Sequence, residues 1–296
     1  MFTTIEFARW YAVGSVTTGA LTTSGSRSPG GSLKWVLTDT RDGDPNGTTP
    51  AHGFVGYGYN GNTDTAQFTF QGYTENGDPV LFIGGGYGVF TNNIYVNQTL
   101  NWTQGGTLVF CFAQDTLIST PVGETRVDQL AIGDLVRTDA RAAVPVKWIG
   151  RQTVMPFFAG QAALPVIIQK GALDGGLPVA DLTVTPDHGM VLDGYVINAS
   201  ALVNGGSIRF AEPQDLAART TYFHVETDAH DVIFANGAAA ETFVDTASRA
   251  KFDNFAEYVA LYGTDELIAE MSVPRITASR VVPDHIRRKL AGARVA

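Results

Sequence analysis

Short runs in which apolar and polar residues alternate recur through the chain. Gln67-Phe68-Thr69-Phe70-Gln71-Gly72-Tyr73 and Asn93-Ile94-Tyr95-Val96-Asn97 alternate with a period near two, the spacing that gives a strand one buried and one wet face. Turn formers punctuate such runs at Asp44-Pro45-Asn46-Gly47, Glu75-Asn76-Gly77-Asp78 and Gly84-Gly85-Gly86. Asn-Gly between alternating runs is a hairpin signal because both residues tolerate positive φ. Residues 1–110 hold 19 of the 33 glycines but only 4 Lys/Arg and 7 Asp/Glu, so this part is turn-rich and weakly charged. The pattern predicts a small all-β domain, a sandwich or a meander, over residues 1–108.

The same rhythm continues beyond Gly105-Gly106-Thr107. The apolar run Leu108-Val109-Phe110-Cys111 carries the chain into the second half without a flexible linker. Strands are predicted at 116–120, 135–138, 144–149, 165–169, 182–185, 189–192, 207–211, 222–226 and 232–235, separated by turns such as Pro121-Val122-Gly123-Glu124 and Asp193-Gly194. Strands do not alternate with helices, so this half also reads as all-β. Asn198–Val203 predicts one short helical turn. Residues 245–271 carry Phe252, Phe255, Val259, Leu261, Leu267, Ile268 and Met271 at rough 3.6-residue spacing, which predicts one or two amphipathic helices. The basic stretch Pro283–Leu290 predicts a solvated terminal helix.

Length and charge narrow the classes. A chain of 296 residues has room for two domains, and 44% hydrophobic residues can bury a core. A net charge of −9 argues against nucleic acid, which asks for a basic stripe, and against an anionic membrane surface. No run of about 18 apolar residues is present, so a membrane span is not expected, and the N-terminus lacks the basic and apolar regions of a signal peptide. Leaderless export to the extracellular space and residence in the cytoplasm are both open. Asp39-Thr40-Arg41-Asp42-Gly43-Asp44 groups carboxylates around a glycine, but without the ligand spacing of an EF-hand it reads as a polar loop. His52 reads as a surface histidine, and no cofactor or metal is predicted.

The candidate chemistry centres on Cys111, the only cysteine, which excludes an internal disulfide. Cys111-Phe112 opening a β-rich segment, Leu130-Ala131-Ile132-Gly133-Asp134-Leu135-Val136, the pair Thr185-Pro186-Asp187-His188, and His230-Asp231-Val232-Ile233-Phe234-Ala235-Asn236-Gly237 together resemble the Hint domain shared by inteins and hedgehog autoprocessing domains. Bacterial Hint-like autoprocessing proteins are the nearest in character. The resemblance implies a compact Hint β fold over 109–245, followed by a helical C-terminal extension over 246–296.

It also implies a reaction. Cys111 attacks the carbonyl of Phe110, Thr185 hydrogen-bonds the scissile peptide, and His188 acts as general acid–base on the departing nitrogen. Imidazole suits that task because its ordinary pKa of ~6.5 lets it take and return a proton near neutrality. Intramolecular attack removes the bimolecular cost that a poor electrophile such as an amide would otherwise impose. His224 stands where many inteins have Asp, and His230 follows it; either is a candidate third group or a structural histidine. Phe110 is bulkier than the residue before the cysteine in hedgehog-type junctions.

Splicing would need Asn before Cys, Ser or Thr at a second junction, and Ala293-Arg294-Val295-Ala296 offers none. The expected outcome is single-turnover self-cleavage, with the protein's own N-terminal segment as substrate and water or a small nucleophile resolving a thioester. Asp187 could orient His188 or cap a turn, Gly133-Asp134 reads as a structural turn, and Trp148 as a core anchor. Two other classes stay open: a β-rich extracellular binding scaffold with an inactive Hint half, and a thiol hydrolase acting in trans through Cys111 and one histidine.

Overall fold

The computed structural model describes residues 4–7, 9–17, 20–27, 35–39, 53–57, 66–74, 78–83, 86–95, 98–104, 110–140, 142–155, 164–217, 219–244, 248–263 and 267–292. Two compact units account for the chain: Met1–Thr107 with Thr153–Ala162 and Pro213–Thr220, and Leu108–Gln152 with Ala163–Glu212 and Thr221–Ala296.

The first unit is built on one nine-stranded sheet. Its strands are β1 (Thr4–Phe7), β2 (Arg9–Thr17), β3 (Ala20–Arg27), β4 (Trp35–Asp39), β5 (Gly53–Tyr57), β6 (Ala66–Thr74), β7 (Pro79–Ile83), β8 (Gly86–Thr91) and β9 (Thr99–Gln104). They lie in the order 1-4-5-6-7-8-2-3-9, and β6 also pairs with β9, so the run 6-7-8-2-3-9 closes on itself. Tyr11, Val80, Val89, Tyr95 and Leu100 pack a small core.

Residues 93–95, predicted as strand, are irregular instead, with the Asn93 and Tyr95 side chains serving a buried carboxylate. Asp78 is fully buried and accepts hydrogen bonds from Tyr95 Oη at 2.5 Å, Asn93 Nδ2 at 3.1 Å and Arg219 Nη2 at 2.6 Å. A buried charge needs such compensation, and here it outweighs one more ladder of backbone bonds. Asp42, Asp44 and His52 lie outside the described residues.

The second unit carries β10 (Phe112–Ala113), β11 (Leu117–Thr120), β12 (Gly123–Arg126), β13 (Leu135–Arg137), β14 (Ala143–Pro145), β15 (Trp148–Val154), β16 (Val166–Ile168), β17 (Leu182–Val184), β18 (Gly189–Leu192), β19 (Tyr195–Asn198), β20 (Ile208–Phe210), β21 (Thr220–Glu226), β22 (Val232–Ala235), β23 (Ala238–Glu241) and β24 (Arg275–Ile276). Helices α1 (Ala199–Leu202), α2 (Phe255–Tyr262) and α3 (Asp284–Gly292) complete it. One sheet runs β15-β21-β10-β17-β16-β20, a second runs β12-β11-β22-β23-β18-β19-β24, and β13 pairs with β14. The protein is mostly β, as the alternation predicts.

Local sequence explains the tightest turns. Asn236 and Gly237 have φ of 46° and 79°, and Asp193 and Gly194 have φ of 47° and 81°. Two consecutive positive φ values match the right-handed twist of a hairpin, so each pair joins two antiparallel strands directly. Asn236 Oδ1 also accepts the Leu117 N–H at 2.8 Å, tying that hairpin to β11. Gly133, with φ 90°, turns the chain where Asp134 Oδ2 accepts the Ala131 N–H at 2.9 Å.

The helical expectations need revision. Among the described residues of 245–271, Phe255–Tyr262 alone form an α-helix; Arg249–Lys251 make a single 3-10 turn, and the chain from Leu267 to Pro274 runs irregularly. The predicted strand at 144–149 is two strands, because Val146 and Lys147 give their N–H groups to Asp134 and Glu226 carbonyls outside any ladder. The terminal helix is not simply solvated. Ile286 and Leu290 are buried, and Lys289 Nζ reaches Asp193 at 2.9 Å and Asp174 at 3.1 Å. No helix among the described residues is long and apolar enough to cross a membrane.

Candidate functional site

The site begins at a two-residue strand in the middle of a sheet. Phe112 pairs with Val184 of β17 on one side and Phe223 of β21 on the other, which fixes the backbone around Cys111 from both directions. Thr185 follows β17 directly. Its N–H donates to the Cys111 carbonyl at 3.0 Å, and its Oγ1 accepts the Cys111 N–H at 2.8 Å. That N–H belongs to the peptide joining Phe110 to Cys111, so the amide nitrogen expected to depart is held by a single hydroxyl.

The Thr185-Pro186-Asp187-His188 turn brings its two ends together. His188 N–H donates to the Thr185 carbonyl at 3.1 Å, and Asn198 Nδ2 donates to Asp187 Oδ1 at 3.0 Å. Asp187 therefore caps the turn from the Asn198 side. The His188 ring packs on Phe112 with centroids 4.2 Å apart and meets the His224 ring at 5.7 Å. Trp148 anchors the core as expected, its ring edge-on to Phe252 and Tyr258.

Burial dominates the electrostatics. Cys111 is fully buried, and burial pushes its thiol well above the ordinary value, with the Asp253 carboxylate adding to the rise. His188 is fully buried too. Burial brings its pKa down to about 4, against an upward pull from Glu241, with Arg275 lowering it and the Phe110 carbonyl raising it. Neither nitrogen of His188 or His224 has a hydrogen bond of normal geometry among the described residues, although the Phe110 carbonyl lies near enough to His188 to favour its protonated ring. His224 is held well below the ordinary value, chiefly by burial and then by His188. The resting site thus holds a thiol and neutral imidazoles.

These depressed values have a stability consequence. In the unfolded chain both imidazoles protonate near pH ~6.5, whereas the folded unit resists protonation until lower pH. Stability is then fully present above pH ~6.5 and falls as the pH drops, by up to about 1.4 kcal/mol per pH unit for each histidine, until His188 titrates near 4. Urea unfolding of the Cys111→Ala chain at pH 7, 5.5 and 4.5 reads this slope; equal stability at all three would contradict it.

The structure brings Cys111, Thr185, His188 and His224 together and gives His230 other work. Its Nδ1 accepts the Met271 N–H at 3.0 Å, so Nε2 carries the proton and donates to Glu241 Oε2 at 3.0 Å. Three residues of the site escape a linear reading. Tyr222, two positions before His224 on β21, is buried near Cys111, and burial and then that thiol raise its phenol; the shared strand face was the available signal. Glu241 and Arg275 form an ion pair on β23 and β24, and no local pattern marks them.

Residues 110–247 match the family model described as the Hint domain, and this part of the chain is a Hint domain. Among solved structures it is similar to the crystal structure of the MchDnaB-1 intein, at 16% identity over 44% of this chain and 98% of that one, with a TM-score of 0.32. The crystal structure of the gp41-1 intein matches at 14% identity over 45% and 98%, with a TM-score of 0.30. No curated protein matches the chain.

Proposed function

We propose that the protein cleaves itself once, between Phe110 and Cys111, by an N–S acyl shift. The observation that carries this reading is the 2.8 Å hydrogen bond from the Cys111 N–H to Thr185 Oγ1, with His188 beside the Phe110 carbonyl. Sγ attacks the Phe110 carbonyl carbon through a five-membered ring. The thiol proton passes to neutral His188 and from there to the Cys111 nitrogen; the S–C bond forms as the C–N bond breaks. No net proton enters or leaves, so a raised thiol and a lowered imidazole are compatible with the step. A weak base that becomes a strong acid on protonation suits a relay of this kind.

Thr185 holds the nitrogen in place by accepting its N–H. The product is a thioester between Phe110 and the Cys111 side chain, open to water or an added nucleophile. Splicing is not part of this reading: none of the four asparagines after Cys111 precedes Cys, Ser or Thr. Full exposure of the chain to hydroxylamine tests the proposal. A fragment ending in a Phe110 hydroxamate, identified by mass, is the expected product, and its absence after prolonged incubation of folded protein would count against the reaction.

A second reading, a scaffold with an inactive Hint half, draws on one observation: the thiol is fully enclosed and held protonated. The same enclosure weighs against a hydrolase acting in trans, since a substrate from another molecule would have to reach a sulfur with no exposed surface.

A further inference from the structure

The family match ends at residue 247, yet the carboxylate that acts on His188 is neutralised from beyond it. Glu241 is fully buried and receives the Gly189 N–H at 2.7 Å, His230 Nε2 at 3.0 Å, Arg275 Nη1 at 3.1 Å and Arg275 Nη2. A buried carboxylate stays ionised only when such donors replace water, and Arg275 is the one permanent cation among these four contacts. Burial works against ionisation, but the His230 and Arg275 bonds take Glu241 down to about 2.

The approach to the peptide after His188 is close. A Cβ on Gly189 would collide with Glu241 Oε1 and Val196 Cγ1, so a side chain there would force the carboxylate or its neighbour to move. Arg275 is placed with similar care: β24 pairs in parallel with β19 through Val196 and Ile197, and Arg275 Nε also bonds Glu270 Oε1 at 2.6 Å.

We propose that Arg275 is a positioning residue for His188, clamping Glu241 beneath the His188–Gly189 peptide and balancing its charge, so that a segment outside the Hint match completes the site. The groups that act on His188 are Phe112 on β10, the Phe110 carbonyl, His224 on β21, Glu241 on β23 and Arg275 on β24. Only Glu241 and Arg275 among them carry a charge in the resting site. Neutralising Arg275 leaves the Glu241 charge unopposed, and His188 then takes a proton more readily. The consequence for rate rests on the self-cleavage reading; the electrostatic role does not.

The test uses the full chain carrying Cys111→Ala, labelled with 15N-histidine and titrated by NMR, with His188 assigned through His188→Gln. Arg275→Gln is expected to raise the His188 midpoint by about one pH unit, and Arg275→Lys, which keeps the charge and loses the paired donors, by less than half of that. In the chain that retains Cys111, the acid limb of cleavage shifts in the same direction. A folded Gln variant whose His188 midpoint stays within about 0.2 pH units of the parent overturns the proposal. Should the Gln variant not fold, the Lys variant decides by the same direction of shift. A parent chain that never cleaves overturns the function proposed above and leaves this measurement valid.

Discussion

The Cys111→Ala chain is expected to remain a single 31.6 kDa species in thiol or hydroxylamine, under conditions that convert the parent into pieces ending at Phe110 and beginning at Cys111. The expected loss is complete rather than partial. Cys111 is the only cysteine, and attack on the preceding carbonyl through a five-membered ring requires a nucleophile three bonds from the departing nitrogen. Removing His188 is milder, because general acid–base catalysis contributes about 10²–10⁴-fold while proximity survives. His188→Gln should therefore cleave slowly, and Cys111→Ala should not cleave at all. Intact mass spectrometry over time separates the three chains. Parent and Cys111→Ala proteins that both stay whole would leave the scaffold reading in place.

The second large effect falls on stability. Arg249→Ala is expected to cost about 3–5 kcal/mol, the range for stripping one partner from a buried ion pair. Arg249 and Glu226 are both fully buried, joined at 2.8 Å and 3.1 Å, and the guanidinium lies over Phe243 and Tyr258 at 4.2 Å and 4.8 Å. Lys147 Nζ, 3.8 Å from Glu226, is too far to replace the lost hydrogen bonds. Alanine therefore leaves a charge in a low-dielectric site and opens the space between two rings. The double variant Arg249→Met, Glu226→Gln should recover part of the loss, since it also removes the buried charge that has lost its two closest hydrogen bonds. Urea midpoints in the Cys111→Ala background measure both, and a loss below about 1 kcal/mol for Arg249→Ala would show the pair to be incidental.

Some of this was readable one residue at a time. Asp193-Gly194 announced its turn, and Asn236-Gly237 carries the same local signal without having been read as one: a positive φ at two successive positions is a local demand that few residues meet. Gly133-Asp134 announced its turn for a similar reason. Cys111, Thr185 and His188 were legible as a set because family resemblance preserves order and spacing; in the fold Thr185 Oγ1 accepts the Cys111 N–H, and the Phe110 carbonyl lies beside His188. Of the one or two helices expected within 245–271, the described residues carry Phe255–Tyr262, and Arg249 and Phe252 lie outside it because they are placed by tertiary partners, Glu226 and Trp148, instead of by helical neighbours.

Local chain chemistry thus determined the strands, the tight turns and the identity of the central thiol, all of which depend on residues a few positions apart. Tertiary structure alone decided the protonation of the site. The low affinity of His188 for a proton comes from burial, which Glu241 opposes and Arg275 deepens; the antiparallel pairing of β18 with β23 brings Glu241 to it, and the parallel pairing of β19 with β24 brings Arg275, both from distant parts of the chain. The division of labour between His224 and His230 was settled the same way. One imidazole faces His188, Phe243 and Phe252, while the other is bonded to Glu241 and the Met271 backbone, contacts that exist only once the sheets have assembled.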